Sequence, residues 1–342
     1  MNRCDEERDV NDWLIYRGTG EPHRRIDELP APPPWRDFDG GPELEPADAA
    51  DSSSKRRLGP VGEAELFRPE GEELELINAA LYLRRPLLVT GDPGTGKSTL
   101  AHAVARELGL GRVLRWPIVS RTTLTEGLYQ YDAIARLQDV QLGGGPDHAV
   151  DAAAPRGIGG YIRLGPLGTA MLPFGRPRVL LVDELDKSDI DLPNDLLNIL
   201  EEGEFPIPEL ERIADREPEV DVLTDDGRRV RITGGRVSCR AFPFVVLTSN
   251  GERDFPAALM RRCIHLPLGR PDKHRLAAMV RAHFGEAGVA TGQELINEFL
   301  TRSATELVAA DQLLNAIYLS SYATKSTEDL AKTLMRRLDR SR

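Results

Sequence analysis

Hydrophobic and polar positions change period several times along the chain. From Glu70 to Leu83 the run EGEELELINAALYL sets Leu74, Ile77, Ala80 and Leu81 at helical spacing, which predicts an amphipathic helix. Pro86–Thr90 (PLLVT) then reads as a short apolar strand, followed by a glycine-rich turn and a helix from Lys97 to Leu108. Further short strands are expected at Arg112–Trp116, Arg178–Asp183, Phe244–Ser249 and Ile264–Leu266, alternating with helical stretches such as Leu192–Glu202. This alternation predicts an α/β fold in which helices cover a parallel sheet. Beyond Arg270 strand signals stop. Leu276, Met279 and Val280, then Leu295, Phe299 and Leu300, then Leu313, Ile317 and Tyr318 recur at helical spacing, which predicts a C-terminal all-helical domain over 271–342.

Residues 1–65 break this pattern, being rich in charge, proline and serine, with Pro30, Pro32, Pro33 and Pro34 clustered and a polar run from Asp48 to Arg57. Such a segment buries too little apolar surface to offset the entropy of ordering, so a flexible N-terminal extension is expected. Two aromatic islands, Trp13–Tyr16 and Trp35–Phe38, argue instead for a docking strap. The core, 66–270, carries two interruptions: 132–177, too long for a plain connection, and 206–243, where β-prone runs flank Asp225-Asp226-Gly227 and predict a hairpin.

Composition narrows the classes. At 342 residues with 40% hydrophobic there is material for more than one compact unit, yet no apolar run nears the roughly 18 residues that cross a bilayer. The charged start MNRCDEERDV does not resemble a secretory signal, so a cytoplasmic location without membrane insertion is expected. Cys4, Cys239 and Cys263 lack metal-ligand spacing and read as reduced thiols, and the six histidines are scattered. A net charge of −11 disfavours a nucleic-acid partner.

The sharpest chemistry lies in Gly91-Asp92-Pro93-Gly94-Thr95-Gly96-Lys97-Ser98, followed by Thr99, a full GxxxxGK[ST] pattern between a predicted strand and a predicted helix. Glycines there let backbone N–H groups turn toward phosphates, Lys97 neutralises phosphate oxygens and Ser98 can ligate Mg²⁺. Val179-Leu180-Leu181-Val182-Asp183-Glu184 is an apolar strand ending in two carboxylates. Beside a phosphate loop, Asp183 is a candidate to hold Mg²⁺ and Glu184 to polarise an attacking water, although adjacent acids are also ordinary helix-start decoration. Asn250 ends a third apolar strand and is either a water-orienting amide or a turn residue before Gly251. Arg261 and Arg262 stand at the end of a short helix before the last strand, where an arginine could reach a neighbour's phosphate or simply be solvated.

Taken in order, these elements resemble the AAA+ ATPase core, and within it MoxR-type ATPases, from about residue 70 onward. The resemblance implies a P-loop NTPase sheet of five parallel strands with a helical lid, ATP and Mg²⁺ as cofactors, and ATP hydrolysis. It also implies a homo-oligomeric ring, hexameric, with the site between neighbours and Arg262 as the trans finger, Arg261 being the second candidate. Gly159–Leu172 and Val220–Val237 match family inserts that usually line the ring's axial surface. Kinship suggests a chaperone-like role beside a von Willebrand A-domain or other client protein. One departure stands out: no sensor arginine occurs in Glu306-Leu307-Val308-Ala309-Ala310-Asp311-Gln312, and Arg302 or Arg275 are the possible substitutes. Two other readings stay open, a nucleotide-switched scaffold with little turnover and a nucleic-acid-directed motor subunit.

Overall fold

Three near-continuous apolar segments, LLVT, VLLVD and FVVLTS, can only be strands buried on both faces, and the rest of the molecule is arranged to cover them. The structure is a computed structural model that describes residues 12–45, 69, 71–143, 157–303 and 310–322. In chain order its elements are α1 (Glu72–Leu83), β1 (Leu87–Thr90), α2 (Lys97–Glu107), β2 (Leu114–Pro117), α3 (Leu124–Leu128), β3 (Tyr129–Tyr131) and α4 (Ala133–Gly143). Then come β4 (Ile162–Leu164), α5 (Pro166–Ala170), β5 (Val179–Asp183), α6 (Leu192–Glu202), β6 (Glu204–Pro206) and a single helical turn, Pro208–Glu211. The chain continues with β7 (Glu219–Leu223), β8 (Arg229–Thr233), β9 (Arg236–Ser238), β10 (Phe244–Ser249), α7 (Ala257–Arg262), β11 (Ile264–Pro267), α8 (Lys273–Ser303) and α9 (Ala310–Tyr322).

The core sheet has the order β11-β1-β10-β5-β2, and every neighbouring pair is parallel. All five strands expected from the sequence are present. The three central strands are buried throughout, apart from the partly buried Thr90, whereas the edge strand β2 alternates buried and exposed residues. One face (Leu87, Val89, Leu181, Val246) packs on α1 and α2; the other (Leu88, Leu180, Val182, Val245, Leu247) packs on α5, α6 and the inserted strands.

The two interruptions fold together. Their strands, with the flanking β3 and β6, form one six-stranded sheet, β3-β4-β7-β8-β9-β6, whose Val222, Ile232 and Val237 join the hydrophobic cluster on one face of the core. The expected hairpin is β7–β8, with Thr224 N donating to Arg228 O at 2.8 Å across the turn. Its turn is docked inward on its own core: Asp226 pairs with the buried Arg178 at 2.9 Å and Asp225 N donates to Thr169 Oγ1 at 2.9 Å. Residues 144–156 of the first interruption lie outside the described residues.

The expectation of a flexible extension fails for residues 12–45, which form a strap on the core. Leu14, Ile15 and Tyr16 are buried, and two fully buried polar side chains hold the strap's backbone. Asn78 Oδ1 accepts from Ile15 N and Tyr16 N at 2.8 and 2.9 Å while its Nδ2 donates to Tyr16 O at 2.8 Å. Glu107, at the end of α2, accepts from the N–H groups of Arg17, Gly18 and Gly20 at 2.7, 3.1 and 2.8 Å. The strap then passes the N-terminal ends of the core strands. There Phe38 stacks on Phe242 with centroids 5.7 Å apart, Arg36 donates to Leu200 O at 2.7 Å and Leu44 bridges to Phe174. Composition pointed to flexibility because charge and proline dominate the segment. A few apolar anchors and two buried acceptors suffice to order it. The polar run Asp48–Arg57 and Cys4 lie outside the described residues.

Over its described residues the C-terminal region is helical as expected, and residues 323–342 lie outside them. α8 is two helices meeting at Gly285 (φ 68°, ψ −171°), and with α9 it encloses a separate core of Leu276, Val280, Ile296, Phe299, Leu313 and Ile317. Residues 304–309 and the side chain of Arg302 lie outside what is described, and with them most of the stretch in which a sensor arginine was sought. Cys239 and Cys263 are buried free thiols, and burial pushes both up to about 12. No described helix is long and apolar enough to cross a membrane.

Candidate functional site

Parallel strands deliver their C-terminal ends to one edge of the sheet, and that edge gathers most of the residues singled out above. Between β1 and α2 the chain must turn tightly over the end of the sheet. Gly94 (φ 80°) and Gly96 (φ 90°) take left-handed backbone that side chains avoid, and Gly96 caps α2 so that Lys97 begins it. A Cβ at Gly91 would meet Leu268 O at 2.5 Å, so β11's exit fixes how the loop leaves β1. Thr95 Oγ1 staples the loop by donating to Asp92 O at 2.9 Å. Pro93 lies between, and Thr99 follows in the first turn of α2.

Lys97 is only 7% exposed and its Nζ donates to Gly91 O and Asp92 O at 2.6 and 2.8 Å. Burial pushes its ammonium below the ordinary lysine value, while Asp186, Asp92, Asp183 and Glu184 pull it back. A buried cation held by carbonyls at a helix N-terminus is matched to an anionic oxygen group.

Asp183 ends β5 directly beside this loop. Its Oδ1 accepts from Ser98 Oγ at 2.7 Å and from Thr248 Oγ1 at 2.9 Å; its Oδ2 accepts from Arg115 at 2.6 Å (Nη2) and 3.2 Å (Nε). Burial raises the Asp183 carboxyl, but the hydrogen bonds of Arg115, Ser98 and Thr248 outweigh it and hold the group below the ordinary carboxylate value. Strand register explains the arrangement. Leu247 pairs with Val182, which sets Thr248 opposite Asp183, and Pro117 pairs with Asp183, which makes Arg115 its diagonal neighbour on the edge strand. Serine hydroxyl and carboxylate are the hard oxygen donors that Mg²⁺ takes, so Ser98 and Asp183 fit that ion.

Glu184 adopts left-handed backbone (φ 62°, ψ 48°), a conformation uncommon for a side-chain-bearing residue and one that accumulates at functional sites. Its N–H donates to Thr248 Oγ1 at 2.8 Å, and its carboxylate is half exposed and pairs with Lys187 at 2.8 Å. Two residues on, Asp186 is 3% exposed. Its Oδ2 accepts the N–H groups of Asn250 and Glu252 at 2.9 and 3.1 Å, while Oδ1 is buried without a hydrogen-bond partner. Thus Asp186, in the turn after β5, holds the backbone of Asn250 and Glu252 in the turn after β10.

Arg261 and Arg262 are not brought to the phosphate loop. They close α7, where Arg262 Nε pairs with Glu201 at 3.0 Å and Arg261 has no ion pair among the described residues. Of the suggested sensor substitutes, Arg275 pairs with Glu73 on α1. It is Arg270, not singled out in the sequence, that reaches the loop, through Asp92 Oδ2 at 2.9 Å. Arg115, Thr248, Asp186 and Lys187 were also missed. An arginine inside the apolar strand VLRWP and a second buried acid in DELD were signals that could have flagged two of them.

Residues 86–263, from the residue before β1 to the residue before β11, match the family model described as AAA domain (dynein-related subfamily).

Proposed function

We propose that this chain, which belongs to the dynein-related subfamily of the AAA family, binds ATP with Mg²⁺ at the Gly91–Ser98 loop and hydrolyses it. The observation that carries this reading is the joining of Lys97, Ser98 and Asp183 at one strand edge, with Glu184 and Asn250 next in line. Lys97 offsets phosphate charge, and Ser98 and Asp183 supply oxygens to Mg²⁺, which neutralises charge on the phosphates. Glu184 takes a proton from the attacking water and Asn250 orients it, an arrangement worth about 10²–10⁴-fold in rate. The turnover cycle serves a MoxR-like machine acting on a client protein, with subunits forming a ring.

That neither Arg261 nor Arg262 faces the loop of its own chain supports a site completed by a neighbour's arginine. Arg262 is already engaged by Glu201, so Arg261 gains weight as the trans residue. The test is phosphate release with ATP and Mg²⁺ across protein concentration, with Lys97→Ala, Glu184→Gln, Arg261→Ala and Arg262→Ala. Turnover should rise with concentration, vanish without Lys97 and fall to background without Glu184 while ATP still binds. A Glu184→Gln protein hydrolysing at the parent rate would disprove the base assignment. ATP binding without turnover at any concentration would favour the nucleotide-switched scaffold, a reading to which the Glu184–Lys187 pair lends support because it ties up the base.

A further inference from the structure

A carboxylate offers about four acceptor sites, two on each oxygen. At Asp183 all four are taken: Ser98 and Thr248 hydroxyls on Oδ1, and two N–H groups of Arg115 on Oδ2. In this arrangement a metal ion or its water shell finds no lone pair on the residue that should hold it. One donor has to leave. Thr248 is 1% exposed and also accepts the N–H of Glu184, so it is locked on both sides. Ser98 is itself a metal-ligand candidate and needs only to rotate its hydroxyl. Arg115 is different: its side chain is 39% exposed, and it stands on β2, an edge strand with a core neighbour on one side only. It can swing to water without disturbing the sheet, and it carries the positive charge that most opposes a cation.

We propose that Arg115 is a latch on the magnesium site, which occupies Asp183 Oδ2 and must be displaced for Mg²⁺–nucleotide to seat. Arg115 is therefore a positioning residue that sets how much Mg²⁺ the site requires. The inference rests on the proposed ATP- and magnesium-binding function. Its physical content is a competition: the guanidinium fork and the divalent ion cannot both use Oδ2. A fork held by two charge-assisted hydrogen bonds is replaced only at the cost of those bonds.

The experiment is equilibrium binding of a fluorescent ATP analogue to the full chain as Mg²⁺ is titrated, for the parent, Arg115→Met, Arg115→Lys and Lys97→Ala. Losing one charged hydrogen-bonding partner from the competition should lower the half-saturating Mg²⁺ concentration about tenfold in Arg115→Met. Arg115→Lys keeps the charge but not the fork, and should fall between the two. It also keeps the question answerable should the methionine variant fail to fold, since the lysine retains an ion pair at Asp183. An unchanged or higher Mg²⁺ requirement in folded Arg115 variants would overturn the latch while leaving the nucleotide reading intact. Failure of the parent to bind the analogue at any Mg²⁺ concentration, or binding undiminished in Lys97→Ala, would overturn the nucleotide reading and the latch together.

Discussion

Replacing Asp186 separates turnover from nucleotide binding. Its Oδ2 holds the Asn250 and Glu252 N–H groups at 2.9 and 3.1 Å in a site 3% exposed, and its charge is the largest attraction felt by Lys97. Asp186→Ala takes the acceptor from two part-buried N–H groups, one of them on the exposed Glu252 where water can replace it, so a stability loss of about 1–2 kcal/mol is expected. Asp186→Asn keeps an oxygen in place but gives up the charge assistance, about half of each bond, while relieving the burial of a carboxylate; the net loss should be smaller. Freed from this anchor, the turn that carries Asn250, the proposed water-orienting residue, should shift against the end of β5. Misplacement of an orienting group by an ångström costs on the order of 10²-fold, and kcat should fall by that order in Asp186→Ala. ATP affinity should stay level or tighten, because a buried negative charge near the phosphates has been removed. Urea unfolding, fluorescent-nucleotide binding and phosphate release measure the three quantities. If Asp186→Ala lost affinity while keeping kcat, or matched the parent in stability within about 0.5 kcal/mol, the positioning argument would be refuted.

Other consequences follow from groups outside the phosphate loop. Asp226→Ala strands the 2% exposed Arg178 as an uncompensated buried charge and should cost about 3–5 kcal/mol in urea unfolding, whereas Asp226→Leu with Arg178→Met together should be nearly neutral. Glu107→Ala removes the acceptor of three strap N–H groups and should cost about 3 kcal/mol; limited trypsin digestion should then cut at Arg17, Arg24 or Arg25 well before the core. Strap cleavage at the parent rate would show that Glu107 does not hold it. Asp183 is held below its ordinary value of 3.8, so its contribution to stability is present above that value and lost as pH falls below it toward the lower folded value. Stability of Asp183→Asn relative to the parent, followed from pH 5 downward, should therefore converge on the parent's only in that acid range.

Much was legible in the sequence because local rules governed it. The phosphate loop needs glycines where backbone turns left-handed, a lysine at the helix start and an apolar strand before it. Those demands fall on consecutive residues, so Gly91–Ser98 and Val179–Glu184 could be read directly and proved adjacent. Strands buried on both faces write themselves as unbroken apolar runs, which marked the three central strands, while the edge strands β2 and β11 were found from shorter apolar stretches in the same alternation. The C-terminal helices were legible from their spacing for the same reason. The strap was harder. Its composition is that of a flexible tail, and only the two aromatic islands, Trp13–Tyr16 and Trp35–Phe38, argued otherwise; what holds the first of them is Asn78 and Glu107, polar residues more than 60 positions away.

What only the tertiary structure decided is which side chains of separate segments share an atom. Arg115 on Asp183, Asp186 beneath Asn250, Arg270 on Asp92 and Arg262 on Glu201 join positions between 61 and 178 residues apart. No periodicity or motif encodes such pairings. They arise from parallel register, which sets Pro117 and Asp183 level and so makes Arg115 a diagonal neighbour, and from the order in which strands line up in the sheet. The sequence alone determined the chemical groups at the strand ends and the loop that can hold phosphate. Strand order and register determined which of those groups are already engaged with one another, because hydrogen bonds and ion pairs depend on distances of a few ångströms that chain spacing does not carry.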